Sequence, residues 1–332
     1  MKSRSLSRSG LACVAVLALH FFHAAAHAAT RVPGPLVSTD WVAAQLENPE
    51  VVIIDVRDDT ANFDRQPTDK EKADPKAPLV GHIPGARLMP WKSVRETREI
   101  DGVKLDKMLP APQNFESAMR KLGVRADQAI VIATNGKDSD AVTMGTRLYW
   151  TLKYFGHDNM ALLDGGVRKW KAESRPIAFE ARVVTPSNYA LNSKFKPEIL
   201  AQLADVESAV GRSGTQIVDG RTADYYVGQS MTSDVVRKGH IPGARMFAHK
   251  DLVDEKTGMF LPRAELQALA SDAGIKGDVN TIAHCNTGHL ASGAWFVLSE
   301  LLGNANTRLY DGSMHEWTKS STRPVTRKWE MP

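Results

Sequence analysis

The chain carries one pattern twice, and this duplication restricts its fold more than any other feature. Gly81-His82-Ile83-Pro84-Gly85-Ala86-Arg87 recurs as Gly239-His240-Ile241-Pro242-Gly243-Ala244-Arg245. Upstream, Ile53-Ile54-Asp55-Val56-Arg57 answers to Ile217-Val218-Asp219-Gly220-Arg221. Downstream, Leu163-Asp164-Gly165-Gly166 followed by Trp170 answers to Tyr310-Asp311-Gly312-Ser313 followed by Trp317. The order is the same in both copies. Seven identical residues in a row, set between two further matching segments, mark two homologous domains and not a chance repeat. The expected domains are residues 35–178 and 194–329, and residues 179–193, aperiodic and holding Pro186, are the linker.

Within each copy, strand and helix signals alternate. In the first, Ser38 or Thr39 can cap a helix running to Leu46, and residues 51–54 read as a wholly apolar strand. Pro110 opens a helical stretch to Leu122, residues 129–133 and 160–163 are further apolar strands, and residues 142–154 have helical periodicity. In the second, strands are expected at residues 216–218, 280–284 and 307–310, with helices at 200–210, 263–273 and 290–302. Short apolar strands separated by helices predict an α/β fold, a tandem duplication in which each domain is a parallel sheet with helices on both faces. Residues 58–79 and 223–238, just before the Gly-His-Ile-Pro-Gly turns, read as exposed loops. His82 and His240 occupy equivalent places in the two copies, with no second histidine or cysteine at metal-ligand spacing. Their expected role is hydrogen bonding at a turn whose backbone glycine and proline set. No metal and no organic cofactor are expected.

Residues 1–28 obey a different rule. Lys2, Arg4 and Arg8 precede an apolar run over residues 11–22, and Ala26-His27-Ala28 offers a small-x-small cleavage site. This is the pattern of a secretory signal peptide, so cleavage after Ala28 and export, to the periplasm in a bacterial-type cell, are expected. Cleavage removes three of the 42 Lys+Arg and none of the 38 Asp+Glu, taking the net charge from +4 to about +1. That near-balance gives nucleic-acid binding little support. No later apolar segment is long enough to span a bilayer, so no membrane association is expected after cleavage. Cleavage also removes Cys13 and leaves Cys285 as the only cysteine. A lone thiol in an exported protein forms no internal disulfide; it is a buried inert group, an intermolecular bridge or a reactive centre.

A difference between the copies bears on these readings. Aligning residues 131–134 with 281–284 sets Asn135 opposite Cys285, and the first copy's loop, residues 135–140, reads as two or three residues longer. One domain therefore carries a nucleophile and the other does not. Cys285 stands at a strand-to-helix turn at the carboxyl end of its sheet, where α/β folds bind ligands. Gly288 can take positive φ and let successive amides curl around one anion, and the following helix adds its dipole. His284 and His289 supply positive charge if protonated. Such surroundings lower a thiol's pKa and raise its thiolate fraction. No Cys-x-x-Cys redox pair exists.

With these motifs assembled, the chain resembles the two-domain rhodaneses, the thiosulfate and 3-mercaptopyruvate sulfurtransferases. The tandem domains, both Gly-His-Ile-Pro-Gly-Ala turns, the Asp311-Gly312-Ser313-x-x-Glu316-Trp317 segment and the single cysteine loop carry the resemblance, over residues 35–324. It implies two rhodanese folds and a persulfide mechanism, in which the Cys285 thiolate takes the outer sulfur of a small-molecule donor and passes it to a thiophile such as cyanide or a thiol. It also implies that the amides of Asn286, Thr287, Gly288, His289, Leu290 and Ala291 hold the anionic sulfur, and that Arg221 helps to bind the donor. The loop departs from the family's patterns. Thiosulfate-preferring relatives usually place basic residues after the cysteine and mercaptopyruvate-preferring ones a Gly-Ser-Gly or Gly-Ala-Gly, whereas here the run is Asn-Thr-Gly-His. A second arginine is expected where Asp224-Tyr225 stand. Two rivals remain. A Cys-x5-Arg phosphatase needs arginine where the chain has Ala291, and a non-catalytic carrier keeps the fold but only stores or relays persulfide.

Overall fold

The computed structural model describes residues 30–74, 77–191 and 194–328. The expected signal segment, residues 1–28, lies outside the described residues. In the first copy the elements run β1 (Leu36–Val37), α1 (Thr39–Ala44), β2 (Val51–Arg57), α2 (Asp69–Ala73), β3 (Arg87–Pro90), a hairpin of β4 (Glu96–Ile100) and β5 (Val103–Met108), α3 (Pro112–Lys121), β6 (Ala129–Ala133), α4 (Ser139–Tyr154), β7 (Met160–Leu163) and α5 (Gly166–Ala172). The second copy runs β8 (Leu200–Ala201), α6 (Leu203–Ala209), β9 (Thr215–Asp219), α7 (Ala223–Tyr226), β10 (Ala244–Met246), α8 (Arg263–Asp272), β11 (Asn280–His284), α9 (Ala291–Phe296), β12 (Thr307–Tyr310) and α10 (Ser313–Trp317). Two five-stranded sheets result, β1-β7-β6-β2-β3 and β8-β12-β11-β9-β10, and every pairing within them is parallel. The strand order is the same in both, as the duplication requires.

Strand alternation explains how the halves join. In β2, Val52, Ile54 and Val56 face a large core, whereas Ile53 faces a smaller one. In β6, Ile130 and Ile132 take the first side and Val131 and Ala133 the second. In the second sheet Ala283 and Cys285 join the large core, and Ile282 enters a third cluster confined to its own domain. One face of each sheet thus packs through α4 and α9 into a core shared by both copies. Cys285 lies on that shared side.

Several local expectations change. Residues 200–210 are not one helix, because Leu200 and Ala201 pair with β12 as an edge strand before α6 starts at Leu203. The helix expected over 290–302 is α-helical only from Ala291 to Phe296, then forms a π-helical turn over Val297–Leu301. The helix expected from Pro110 starts at Pro112, which needs no hydrogen-bonded N–H there, and Ser38 caps α1 by accepting from Trp41 N at 3.1 Å. Loops 58–79 and 223–238 are not simply exposed. Each buries an aromatic ring against its copy's turn histidine: Phe63 stacks on His82 at 3.9 Å and Tyr226 on His240 at 3.6 Å. Both histidines donate Nδ1–H to the carbonyl of the residue stacked on them, at 2.8 and 2.7 Å. They are parts of the scaffold.

Candidate active site

Cys285 directly follows β11 and is 1% exposed. Residues 286–290 form bends and a turn, and α9 follows. One short stretch, residues 310–315, holds the loop's shape. Ser313 Oγ accepts from the amides of Cys285 and Gly288, each at 3.1 Å, and donates to the Tyr310 carbonyl at 2.8 Å. The amides of Met314 and His315 bond the carbonyls of Cys285 and Asn286 at 3.0 and 2.9 Å. Gly288 has φ +72, and a Cβ there would lie 2.5 Å from Arg147 Nη1 and 2.6 Å from Asp311 Oδ1. Only glycine fits. Of the six amides after the cysteine, that of Gly288 is committed to Ser313. Those of Asn286, Thr287, His289 and Leu290 have no protein acceptor among the described residues.

The same bonds fix the equivalence of the two copies. The amides of Val167 and Arg168 bond the carbonyls of Thr134 and Asn135 as those of Met314 and His315 bond Cys285 and Asn286. In the sheets Asp55 sits beside Ala133 and Asp219 beside His284. Thr134, and not Asn135, therefore occupies the cysteine's place; Asn135 answers to Asn286. Alignment by the string Ile-Ala missed this because apolar strand residues are interchangeable, whereas ladder register is not. The first copy's loop is not longer either. α4 begins five residues after Thr134 and α9 six residues after Cys285. The extra length is in α4 itself, which has 16 residues.

The charges differ from those expected. His284 is fully buried, and burial, opposed by Asp219, holds its pKa down at about 4. For His289 burial and then Arg95 lower it to about 3. Both are neutral near pH 7, so neither supplies positive charge to Cys285. Guanidinium groups do. Arg221, 2% exposed, grips Asp219 through Nε and Nη2, bonds the Gly239 carbonyl at 2.9 Å and gives Nη1 to Asn286 Oδ1 at 3.2 Å. Burial works against Asp219's charge, but Arg221 outweighs it and holds the carboxylate at about 2.

The first copy supplies the rest. Arg147, wholly buried on α4, reaches Asp311 Oδ1 at 2.5 Å and the Gly288 carbonyl at 3.1 Å. Arg95, on the segment between β3 and β4, lies over the Trp91 ring at 3.9 Å, and Trp91 packs on His289 at 4.6 Å. Burial and the charge of Arg147 pull Arg95 down to about 10, against the attraction of Asp311 and Cys285. Its buried Nε has no hydrogen-bond partner among the described residues. The hairpin and its exit then lie across the second copy. Leu109 N bonds Asp311 Oδ2 at 2.5 Å, Asp106 N bonds His315 Nε2 at 3.1 Å, and Lys107 pairs with Asp234 at 2.6 Å.

The family described as Rhodanese-like domain matches residues 38–173 and 202–320. A protein of Mycolicibacterium smegmatis, provisionally named a thiosulfate sulfurtransferase, is 31% identical over 87% of this chain and 96% of its own. This chain belongs to the rhodanese family. The sulfur carrier protein TtuD of Thermus thermophilus is 29% identical over 89% of the chain and 97% of its own. Among solved structures, SseA from Escherichia coli, a 3-mercaptopyruvate sulfotransferase with the rhodanese fold, superimposes with TM-score 0.67 at 28% identity, over 84% of this chain and 98% of that one.

In this rhodanese the sequence reading brought Cys285, its loop and Arg221 together in one place. It missed Arg95, Arg147 and Ser313. Two of these come from the copy without the thiol, and nothing in local sequence marks a side chain that crosses a domain interface. Ser313 carried a signal, since it is serine where the first copy has Gly166. Asp224 and Tyr225, which replace the second expected arginine, lie on α7. Among the described residues no group of three or more His, Cys, Asp or Glu side chains is arranged to hold a metal ion, and no helix is long and apolar enough to cross a membrane.

Proposed function

We propose that this rhodanese is a sulfurtransferase that moves sulfane sulfur from a small anionic donor to a thiophile through a persulfide on Cys285. The observation that carries the reading is a thiol on a loop with unpartnered amides, flanked by Arg221 and Arg95. The Cys285 thiolate attacks the outer sulfur of the donor; with thiosulfate, the S–S bond breaks and sulfite leaves with its electron pair. The outer sulfur of the resulting persulfide is then taken by cyanide or a thiol, which returns the thiolate. Unpartnered amides and fixed cations favour the negative sulfur at each stage, and no general acid is needed for so good a leaving group.

Thiosulfate is the favoured donor. Its two negative charges suit two guanidinium groups in a largely buried setting, and the name of the smegmatis relative agrees; the SseA relative supports 3-mercaptopyruvate. Side-by-side turnover decides between them. Cys285→Ser is expected to abolish thiocyanate formation from thiosulfate and cyanide, and retained turnover removes Cys285 from its role. The Thermus relative's name favours a second reading, a carrier that stores persulfide without turning over. Negligible rates with both donors, together with a stable persulfide on Cys285 by mass spectrometry, select it. Export is a separate proposal, resting on residues 1–28 alone. Cell fractionation should find a mature chain beginning near Ala29, and an uncleaved cytoplasmic chain removes it.

A further inference from the structure

Ser313 opens α10 with φ +49, in the left-handed region where a residue with a Cβ is disfavoured. The first copy places Gly166 here with φ +58, and a Cβ at Gly166 would come within 2.5 Å of the Thr134 carbonyl. The backbone is shared, and glycine is the residue it suits. The second copy accepts the strain and gains a hydroxyl. That hydroxyl is wholly buried and fully used: its proton goes to the Tyr310 carbonyl, and its two lone pairs take the amides of Cys285 and Gly288. Nothing is left with which to exchange a proton with sulfur or donor.

The consequence shows in the neighbouring asparagines. In the first copy the amide two residues past the asparagine, that of Lys137, bonds the side-chain oxygen of Asn135 at 3.1 Å, so Asn135 is folded back on its own loop. Arg57, the counterpart of Arg221, is then left with a buried Nη1 that has no partner among the described residues. In the second copy Ser313 takes that amide instead, and the side-chain oxygen of Asn286 accepts from Arg221 Nη1 at 3.2 Å. We infer that Ser313 is a positioning residue: its hydroxyl releases Asn286 from its own loop to join Arg221, and so couples the donor-side cation to the Cys285 loop. The inference rests on Cys285 as the sulfur carrier proposed above.

Ser313→Gly tests it, because it recreates the first copy's residue on a backbone that glycine prefers. Ser313→Ala removes the hydroxyl and keeps the Cβ. Both are expected to lower kcat/KM for thiosulfate by roughly 10- to 100-fold, the loss that follows slight misplacement of reacting groups. Both should also raise the midpoint pH of Cys285 alkylation by iodoacetamide. In an Asn286→Ala background Ser313→Gly should cost at most about twofold more, since both changes break one coupling. Kinetics and an alkylation profile within twofold of the parent in both variants overturn the inference, provided that Cys285→Ser is inactive. An active Cys285→Ser overturns the function reading instead. If neither variant folds, the hydroxyl serves the fold at large, and the positioning role is likewise overturned.

Discussion

At Gly288 three demands meet in one residue. Its φ of +72 is disfavoured for any L-residue, its amide is held by Ser313, and its Cα faces the Arg147–Asp311 pair with no room for a methyl group. Gly288→Ala should therefore cost about 2–4 kcal/mol of stability from left-handed strain and overpacking together. It should also lower sulfur transfer by at least about tenfold. Urea unfolding and steady-state rates check both, and a loss under about 1 kcal/mol would refute the crowding argument. Thr134 gives the opposite expectation. It fills the cysteine's place in the first copy, 6% exposed, on a loop without a thiol. Thr134→Val should leave kcat/KM within about twofold, because the change is nearly isosteric and touches no donor-side group. A drop of the size expected for Cys285→Ser would mean that the copies' roles are misassigned.

At the scale of the element, α4 is the piece by which the copy without a thiol serves the copy with one. Its cap and first turn start earlier than periodicity indicates, at Ser139, because Asp138 accepts from Ala141 N at 2.8 Å. This brings Asp140 to His249 at 2.8 Å. Farther along, Thr146 meets Ser292 at 2.7 Å, Arg147 reaches the loop, and Tyr149 and Lys153 bond Glu300. Arg147→Met should leave the Asp311 carboxylate buried without its cation. Breaking such a pair costs about 3–5 kcal/mol, and the loop carbonyl of Gly288 loses its partner as well. Chemical denaturation together with thiosulfate turnover measures this. Full activity in a destabilised protein would confine Arg147 to holding the domains together. The periodicity of residues 142–154 was readable; that this face packs on α9 was not, since a buried helix is apolar on several sides and does not name its partner.

For the whole molecule, acid should be the main solution stress. His284 and His289 titrate in the fold at about 4 and 3, below the ordinary value of 6.5, because burial disfavours their charged forms. The unfolded chain then binds more protons than the native one between those values and pH 6.5, so stability rises with pH across that window and is lost as pH falls through it. For His284 alone this is on the order of 3 kcal/mol. Asp219, held at about 2 against burial by Arg221, adds a loss at still lower pH. Urea midpoints should fall steadily from pH 7 to pH 4.5, and His284→Asn should flatten the slope. A midpoint constant over that range would show that these histidines are not neutral in the fold.

What the sequence determined by itself is what repeats or stands alone. Two copies, parallel sheets of apolar strands, turn histidines and a cysteine, Cys285, on a strand-to-helix turn are local patterns, each fixed by hydrophobic periodicity, by backbone sterics at glycine and proline, or by residue identity. Tertiary structure decided which position of the first copy answers to Cys285, because that depends on ladder register and not on residue similarity. It also decided where the positive charge comes from. His284 and His289 are neutral once the fold desolvates them, and Arg95 and Arg147 arrive from more than a hundred residues away. Desolvation and contacts across the domain interface exist only after the chain has packed, so the charge around Cys285 is a property of the fold.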